Sequence, residues 1–311
     1  MLGLSIITSA SAGVWVHEPG AGYAQIAVAH QEAGRVWLPT GELVENTDPA
    51  LLGTLSPLFD DGRYAATDVA LYGEVGVVRH VELAASVPIR TAQNRWSLAR
   101  GTYPDIVQRN AGFGDLAVTA RAGAVTSGIA WSGAVTGRVP LYSNAPEALG
   151  IEAGNSDFED DRVPLGQGTW DLELGGGIGW GSASAWALAE AALRVRNHGF
   201  SEVVPARLQL GVKPVTRLAA YLGLDLAASL GNGTAPNFYR DWLGKGPSAI
   251  DDQTALTVSA GVLVDVARGF GIVAAGSRVV AGIRFPRITA GSVGVSYTFA
   301  SHRDSTHGDP P

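Results

Sequence analysis

Strict alternation of apolar with small or polar residues is the feature that most limits what this chain can fold into. It is clearest between Gly168 and Arg196. From Trp170 to Trp180 one face carries Trp170, Leu172, Leu174, Gly176, Ile178 and Trp180, and the other carries Asp171, Glu173, Gly175, Gly177 and Gly179. A period of two is that of a β-strand. At about 3.3 Å per residue and a tilt of roughly 35–45°, the two tryptophans stand about 23–27 Å apart in height. That is the apolar band of a membrane-spanning barrel with an aromatic at each interface. A strand of a soluble sandwich averages only about five or six residues.

The return arm, Ala185–Arg196, admits two readings. Its alanines and leucines favour a helix by propensity. It also alternates, with Trp186, Leu188, Glu190, Ala192, Arg194 and Arg196 on one side. The short Gly181–Ser184 link favours a hairpin, so the arm is read as a strand. A link centred on Ser182-Ala183 sets Asp171 opposite Arg194, with Glu173 diagonal to it.

Alternating segments recur near Gly20–Gln31, Tyr64–Val78, Val81–Arg90, Gly112–Val125, Ile129–Val139 and Gly168–Trp180. Others lie near Ala185–Arg196, Val203–Val212, Arg217–Leu230, Thr254–Ala267, Gly271–Gly282 and Ile288–Phe299. The gaps sort by parity. Arg79-His80, Thr126–Gly128, Gly181–Ser184, Lys213–Thr216 and Arg268–Phe270 are short. Glu32–Arg63, Thr91–Ala111, Pro140–Gln167, Asn197–Glu202, Gly231–Gln253 and, by a small margin, Ile283–Arg287 are longer. Short inner turns alternating with long outer loops mark an antiparallel up-and-down transmembrane β-barrel of about 12 strands, with both termini in the periplasm. A soluble secreted β-protein, the remaining fold reading, has no reason to sort its loops this way.

Composition agrees. Only 16% of residues are charged, and no apolar run reaches the roughly 18 residues of a spanning helix. With 41 glycines but no period of three, the chain is neither ordinary in glycine nor collagen-like. A net charge of -7 without a basic cluster excludes nucleic acid as partner. No cysteine is present, so thiolate chemistry and disulfides are excluded. The start, MLGLSIITSASAG, has a short apolar core and Ala10-Ser11-Ala12 before Gly13 but no basic residue. Residues 1–12 read as a truncated signal peptide, or else as a first strand or leader. Residues 13–299 form the barrel and 300–311 a polar periplasmic tail.

Three segments resemble proteins of the meta-pathway phenol-degradation outer-membrane family: GFGDLAVTARAG (Gly112–Gly123), GQGTWDLELGGGIG (Gly166–Gly179) and GSVGVSYTF (Gly291–Phe299). The resemblance spans Gly112 to Phe299. It implies a barrel that passes aromatic compounds, and it brings no functional residue with it.

Twelve charged residues are expected to line the lumen: Asp115, Arg121, Arg138, Asp171, Glu173, Glu190, Arg194, Arg207, Arg217, Asp225, Asp265 and Arg278. Both signs are present and no ring of one sign marks an ion filter, so a structural network and a selectivity constriction both remain open. Trp170, Trp180, Tyr297 and Phe299 are expected at the lipid interfaces. No catalytic residue is expected, since none of the 6 histidines falls mid-strand beside a serine on its face. No cofactor or metal centre is expected either. The run Asn155, Asp157, Glu159, Asp160, Asp161 lacks calcium-loop spacing, and Asn237–Trp242 is an aromatic loop patch. The expected partners are the lipid bilayer, a small-molecule solute and the barrel-insertion machinery. The function so read is passive uptake of small, aromatic or hydrophobic molecules, with a structural or adhesin-like barrel acting through its external loops as the alternative.

Overall fold

A computed structural model describes residues 13–48, 59–98, 105–143, 162–233 and 252–299. The leader at 1–12, the tail at 300–311, the acidic run at 155–161 and the aromatic loop patch at 237–242 lie outside them. Among the described residues there is no helix.

The strands, in chain order, are β1 (Gly22–Ala33), β2 (Arg35–Trp37), β3 (Leu43–Glu45), β4 (Phe59–Val78), β5 (Val81–Leu98), β6 (Ile106–Phe113), β7 (Asp115–Thr126) and β8 (Ile129–Pro140). They continue as β9 (Asp171–Gly181), β10 (Ala185–Arg196), β11 (Val203–Val215), β12 (Leu218–Ser229), β13 (Thr254–Ala267), β14 (Phe270–Ile283), β15 (Phe285–Pro286) and β16 (Thr289–Phe299). The sheet runs β4-β1-β16-β14-β13-β12-β11-β10-β9-β8-β7-β5, and pairing of β4 with β5 closes it into a 12-strand antiparallel barrel. β6 continues β7 along the same edge of β5, past a break at Gly114. A small second sheet, β15-β2-β3, stands at the long-loop end.

Alternation fixes which way each strand faces. In β1, Tyr23, Gln25, Ala27, Ala29, Gln31 and Ala33 are buried inward, whereas Ile26 and Val28 are exposed on the outside. The outer surface is a continuous apolar sheath that includes Leu83, Val135, Leu172, Leu174, Leu208, Leu210, Leu222, Val262, Val293 and Val295. Water would not tolerate so large a patch, and hydrocarbon rewards it. Exposed aromatics ring the short-turn end: Trp131, Trp180, Phe270 and Tyr297. Phe270 and Tyr297 pack at a tilt with centroids 4.7 Å apart, and Phe299 extends the cluster, 6.2 Å from Tyr297. Trp170 and Phe113 are exposed toward the other end.

The tight turns fall where parity put them. Ser127-Gly128 and Arg268-Gly269 each have positive φ at both positions, the type I′ geometry that matches the twist of flanking strands. The arm Ala185–Arg196 is a strand, despite its helical propensity, because β9 and β11 pair with it on both edges.

Three expectations change. The Thr91–Ala111 gap is mostly strand, since β5 runs on to Leu98 and β6 returns from Ile106. This extension is polar, with Arg95 paired to Asp105 and, on the adjoining end of β4, Arg63 paired to Asp61, so it suits water above the bilayer. The β9–β10 register is displaced by two residues. Arg194 lies opposite Glu173 and Arg196 opposite Asp171. The cause is in the turn: Ser182 N–H donates to the Ala185 carbonyl at 2.8 Å, and Ser182 Oγ accepts from Ala185 N–H at 3.1 Å, which centres the link one residue later. Finally, Trp170 precedes β9 rather than opening it, held by exchange of hydrogen bonds with Asn197.

Candidate functional site: a charged lumen strapped at its short-turn end

The inward faces of β8–β12 carry a polar wall. Glu173 accepts from Arg194 at 2.8 Å and lies 3.5 Å from Arg138. Arg207 donates to Asp225 at 2.6 Å, and Glu190 stands across from Arg207 and Gly177. Asp171 accepts from Thr169 at 2.8 Å, and Asp115 meets the Tyr142 hydroxyl. Side-chain exposure is 16–18% for the Arg194–Glu173 pair and 32–36% for Arg207–Asp225, so water reaches this wall. The facing wall is drier. On β4 and β5, Asp68 and Arg90 form a two-pronged pair, and Tyr72, Glu74 and Glu82 also point inward.

Ten of the expected lumen charges lie on inward strand positions, with Asp265 exposed at the short-turn rim. Two do not line the lumen. Arg217 is exposed in the turn between β11 and β12. Arg278 pairs with outward Val258 and with exposed Thr289, and so faces outside. It sits near the long-loop end, where an arginine stem can lie on apolar surface while the guanidinium reaches water.

Residues before β1 turn into the barrel and cross it. Gly20 N–H donates to the Gly76 carbonyl at 2.8 Å and Gly76 N–H to the Ala21 carbonyl at 2.9 Å, tying one end of this strap to β4. Val16 reaches β7 at Gly123, and Val14 and Trp15 reach β9 at Gly177 and Gly179. Val14 is fully buried with Ala130 and Leu188. Only glycine permits this approach: a Cβ at Gly177 would lie 2.5 Å from Val14 Cγ1, and one at Gly179 would lie 3.0 Å from the Trp15 ring. The inward glycine run visible in the sequence is thus the groove of the strap. In mid-crossing, His17 Nε2 lies 3.0 Å from Glu74 Oε1, and its backbone N–H donates to Glu82 Oε2 at 3.1 Å. The hydrogen bond to Glu74 raises the imidazole pKa above its ordinary value, against the opposing pull of burial. Arg121 completes the cluster, donating to Glu82 Oε1 at 2.7 Å.

The long-loop end is covered differently. Val163, Leu165, Phe285 and Ile288 pack on the small inward residues Ala33, Ala66, Ala92, Ala255 and Ala290. Arg90 Nη1 donates to the Leu165 carbonyl at 2.8 Å, and Asn110 Nδ2 to the Val163 carbonyl at 2.8 Å.

Asp68, Glu74, Glu82 and Arg90 were missed as lumen residues although the alternation of β4 and β5 carries the signal. His17 joins them across 57 residues of chain from Glu74, and local spacing gives no sign of that.

No protein-family model matches the chain, and no curated protein matches it in sequence. Solved structures do. The COG4313 outer membrane channel from Pseudomonas putida F1 aligns with TM-score 0.58 at 12% identity, over 90% of this chain and 96% of that one. The NanC porin aligns with TM-score 0.51 at 6% identity, over 89% of this chain and 100% of that one. Identities this low speak for the fold alone. With its apolar sheath and aromatic girdles, the closed 12-strand antiparallel barrel is a transmembrane barrel of the bacterial outer membrane.

Proposed function

We propose that this barrel is a passive channel for small solutes, with aromatic or hydrophobic compounds as the class carried. The observation that carries the reading is the charge-paired and partly exposed wall on β8–β12 inside the barrel. A barrel acting only through its external loops has no need of such a wall. The solute class rests on the resemblance of Gly112–Gly123, Gly166–Gly179 and Gly291–Phe299 to the meta-pathway phenol-degradation family, and the solved neighbour named a channel supports passage. The wall's paired charges sum to no dominant sign, which suits neutral or weakly charged solutes better than a strongly selective ion path. Trp170, Trp180, Tyr297 and Phe299 seat the barrel in the bilayer, and the barrel-insertion machinery is the partner required to place it there.

The test is conductance of the purified protein in planar bilayers, with flux of small aromatic acids into proteoliposomes. Discrete conductance steps and aromatic flux are expected. Arg194→Glu places three acidic groups together at this wall. It should shift the cation-to-anion permeability ratio by roughly 1 kcal/mol, a factor of about five. Glu173→Arg combined with Arg194→Glu should return the ratio toward its starting value. A barrel that neither conducts nor passes solute sinks the channel reading, and a single reversal without effect removes this wall from the path.

A further inference from the structure

His17 is the one imidazole inside the barrel among the described residues, and it does not face one carboxylate but two. Its Nε2 lies 3.0 Å from Glu74 Oε1 and 4.0 Å from Glu82 Oε2. The three donor atoms all fall within 4.8 Å of one another. In a tetrahedral zinc site with bonds of about 2.0–2.1 Å, neighbouring donors are about 3.3 Å apart. The two separations bracket that spacing, so an ion needs only small side-chain adjustments to be held.

The second oxygen of each carboxylate is already committed. Tyr72 Oη donates to Glu74 Oε2, and Arg121 Nη1 donates to Glu82 Oε1 at 2.7 Å. One oxygen on each side is fixed by an outer donor. Of the other two, Glu74 Oε1 is aimed at the imidazole nitrogen, and Glu82 Oε2 accepts the His17 backbone N–H at 3.1 Å, which leaves it a second lone pair for an ion. Outer partners orient ligating carboxylates in this way. The glutamate side chains are 0% and 1% exposed and that of His17 is 21% exposed, so an ion would enter from the His17 side and keep a position there for water. We propose that His17, Glu74 and Glu82 form a binding site for a divalent transition-metal ion of the zinc class. The bound ion fastens the strap across the short-turn mouth.

The donor set decides the class. An imidazole with two carboxylates suits zinc and its neighbours, whereas calcium and magnesium take oxygen ligands and have no use for the imidazole. Arg121 cancels one of the two carboxylate charges, so the site binds more weakly than a thiolate zinc centre. Because the ligands come from the strap, β4 and β5, the ion links a segment that crosses the lumen to the wall itself.

Zinc chloride titrated calorimetrically into the full chain in detergent should show one ion per barrel. His17→Ala should weaken binding at least about tenfold, with Glu74→Gln as a second variant that keeps the side-chain shape. His30→Ala should leave binding unchanged, since His30 pairs with Glu32 on the exposed exterior. Gel migration with and without boiling confirms that each variant is folded. Zinc-edge absorption should report one imidazole with oxygen neighbours at about 2.0–2.2 Å. Hydrogen exchange should slow at residues 14–20 when zinc is added to wild type, and not in His17→Ala. No stoichiometric uptake by the folded wild type, or uptake that survives both substitutions, overturns the site. Uptake without slower exchange in the strap overturns the fastening role.

Discussion

Arg90→Met alone is expected to destabilise the barrel by about 3–5 kcal/mol, the usual consequence of removing one partner of a buried ion pair. Arg90 Nε and Nη2 each donate to Asp68 at 2.7 Å, and the two side chains are only 4% and 8% exposed. Methionine leaves the Asp68 carboxylate buried without its counter-charge. It also strips the Leu165 carbonyl of its donor, and with it one anchor of the segment that covers the long-loop end. The double change Arg90→Met with Asp68→Leu should recover most of the loss, because replacing both partners of a buried pair is often close to neutral. Urea unfolding in lipid, followed by tryptophan fluorescence, measures both. A single-variant loss below about 1 kcal/mol would mean that this wall is wetter than the geometry indicates.

Leu222→Arg should cost about 2–4 kcal/mol, the price of a cationic side chain at the bilayer midplane of such a barrel. Leu222 is 63% exposed on the outside of β12 and lies between Leu210 and Ala260 of the neighbouring strands. Gln209→Arg, one residue along β11 from Leu210, points inward and should escape the lipid term. Gly261 is a poor inward control because the Tyr221 ring occupies the space a Cβ would need, 2.5 Å away. Equal losses for Leu222→Arg and Gln209→Arg would contradict the facing of these two strands.

Much of the wall was legible because a membrane barrel repeats one constraint along every strand. Each strand alternates between hydrocarbon and lumen, so Leu256, Val258, Ala260 and Val262 against Thr257, Ser259 and Gly261 could be faced correctly from the sequence. The Ala185–Arg196 arm shows the same constraint overriding propensity: as a helix it would satisfy itself but leave the edges of β9 and β11 unpaired in lipid, and as a strand it pairs with both. What escaped depends on contacts between distant segments. The β9–β10 register turned on one serine's hydrogen bonds in the link, and parity alone could not separate registers two residues apart. Arg278 obeys parity, but as an outward residue close enough to the interface to reach water. The strap left only an indirect trace, the inward glycines at 177, 179 and 181, which as a sequence pattern read as ordinary strand glycines. The cover at the long-loop end is built from Val163 and Leu165, apolar residues in an irregular segment, and Phe285 in a two-residue strand, none with a period to reveal it.

In the proposed channel, residues 14–20 cross the short-turn mouth. Unitary conductance of wild type beside Gly179→Leu, measured in the same planar bilayers, tests it most directly. A leucine at 179 occupies the groove now filled by Val14 and Trp15, whereas the outward sheath of β9 is untouched. The account predicts small, discrete steps for wild type and several-fold larger ones for the variant, both from barrels that pass the gel test of folding. Equal conductance in the two proteins, or none in either, would contradict it.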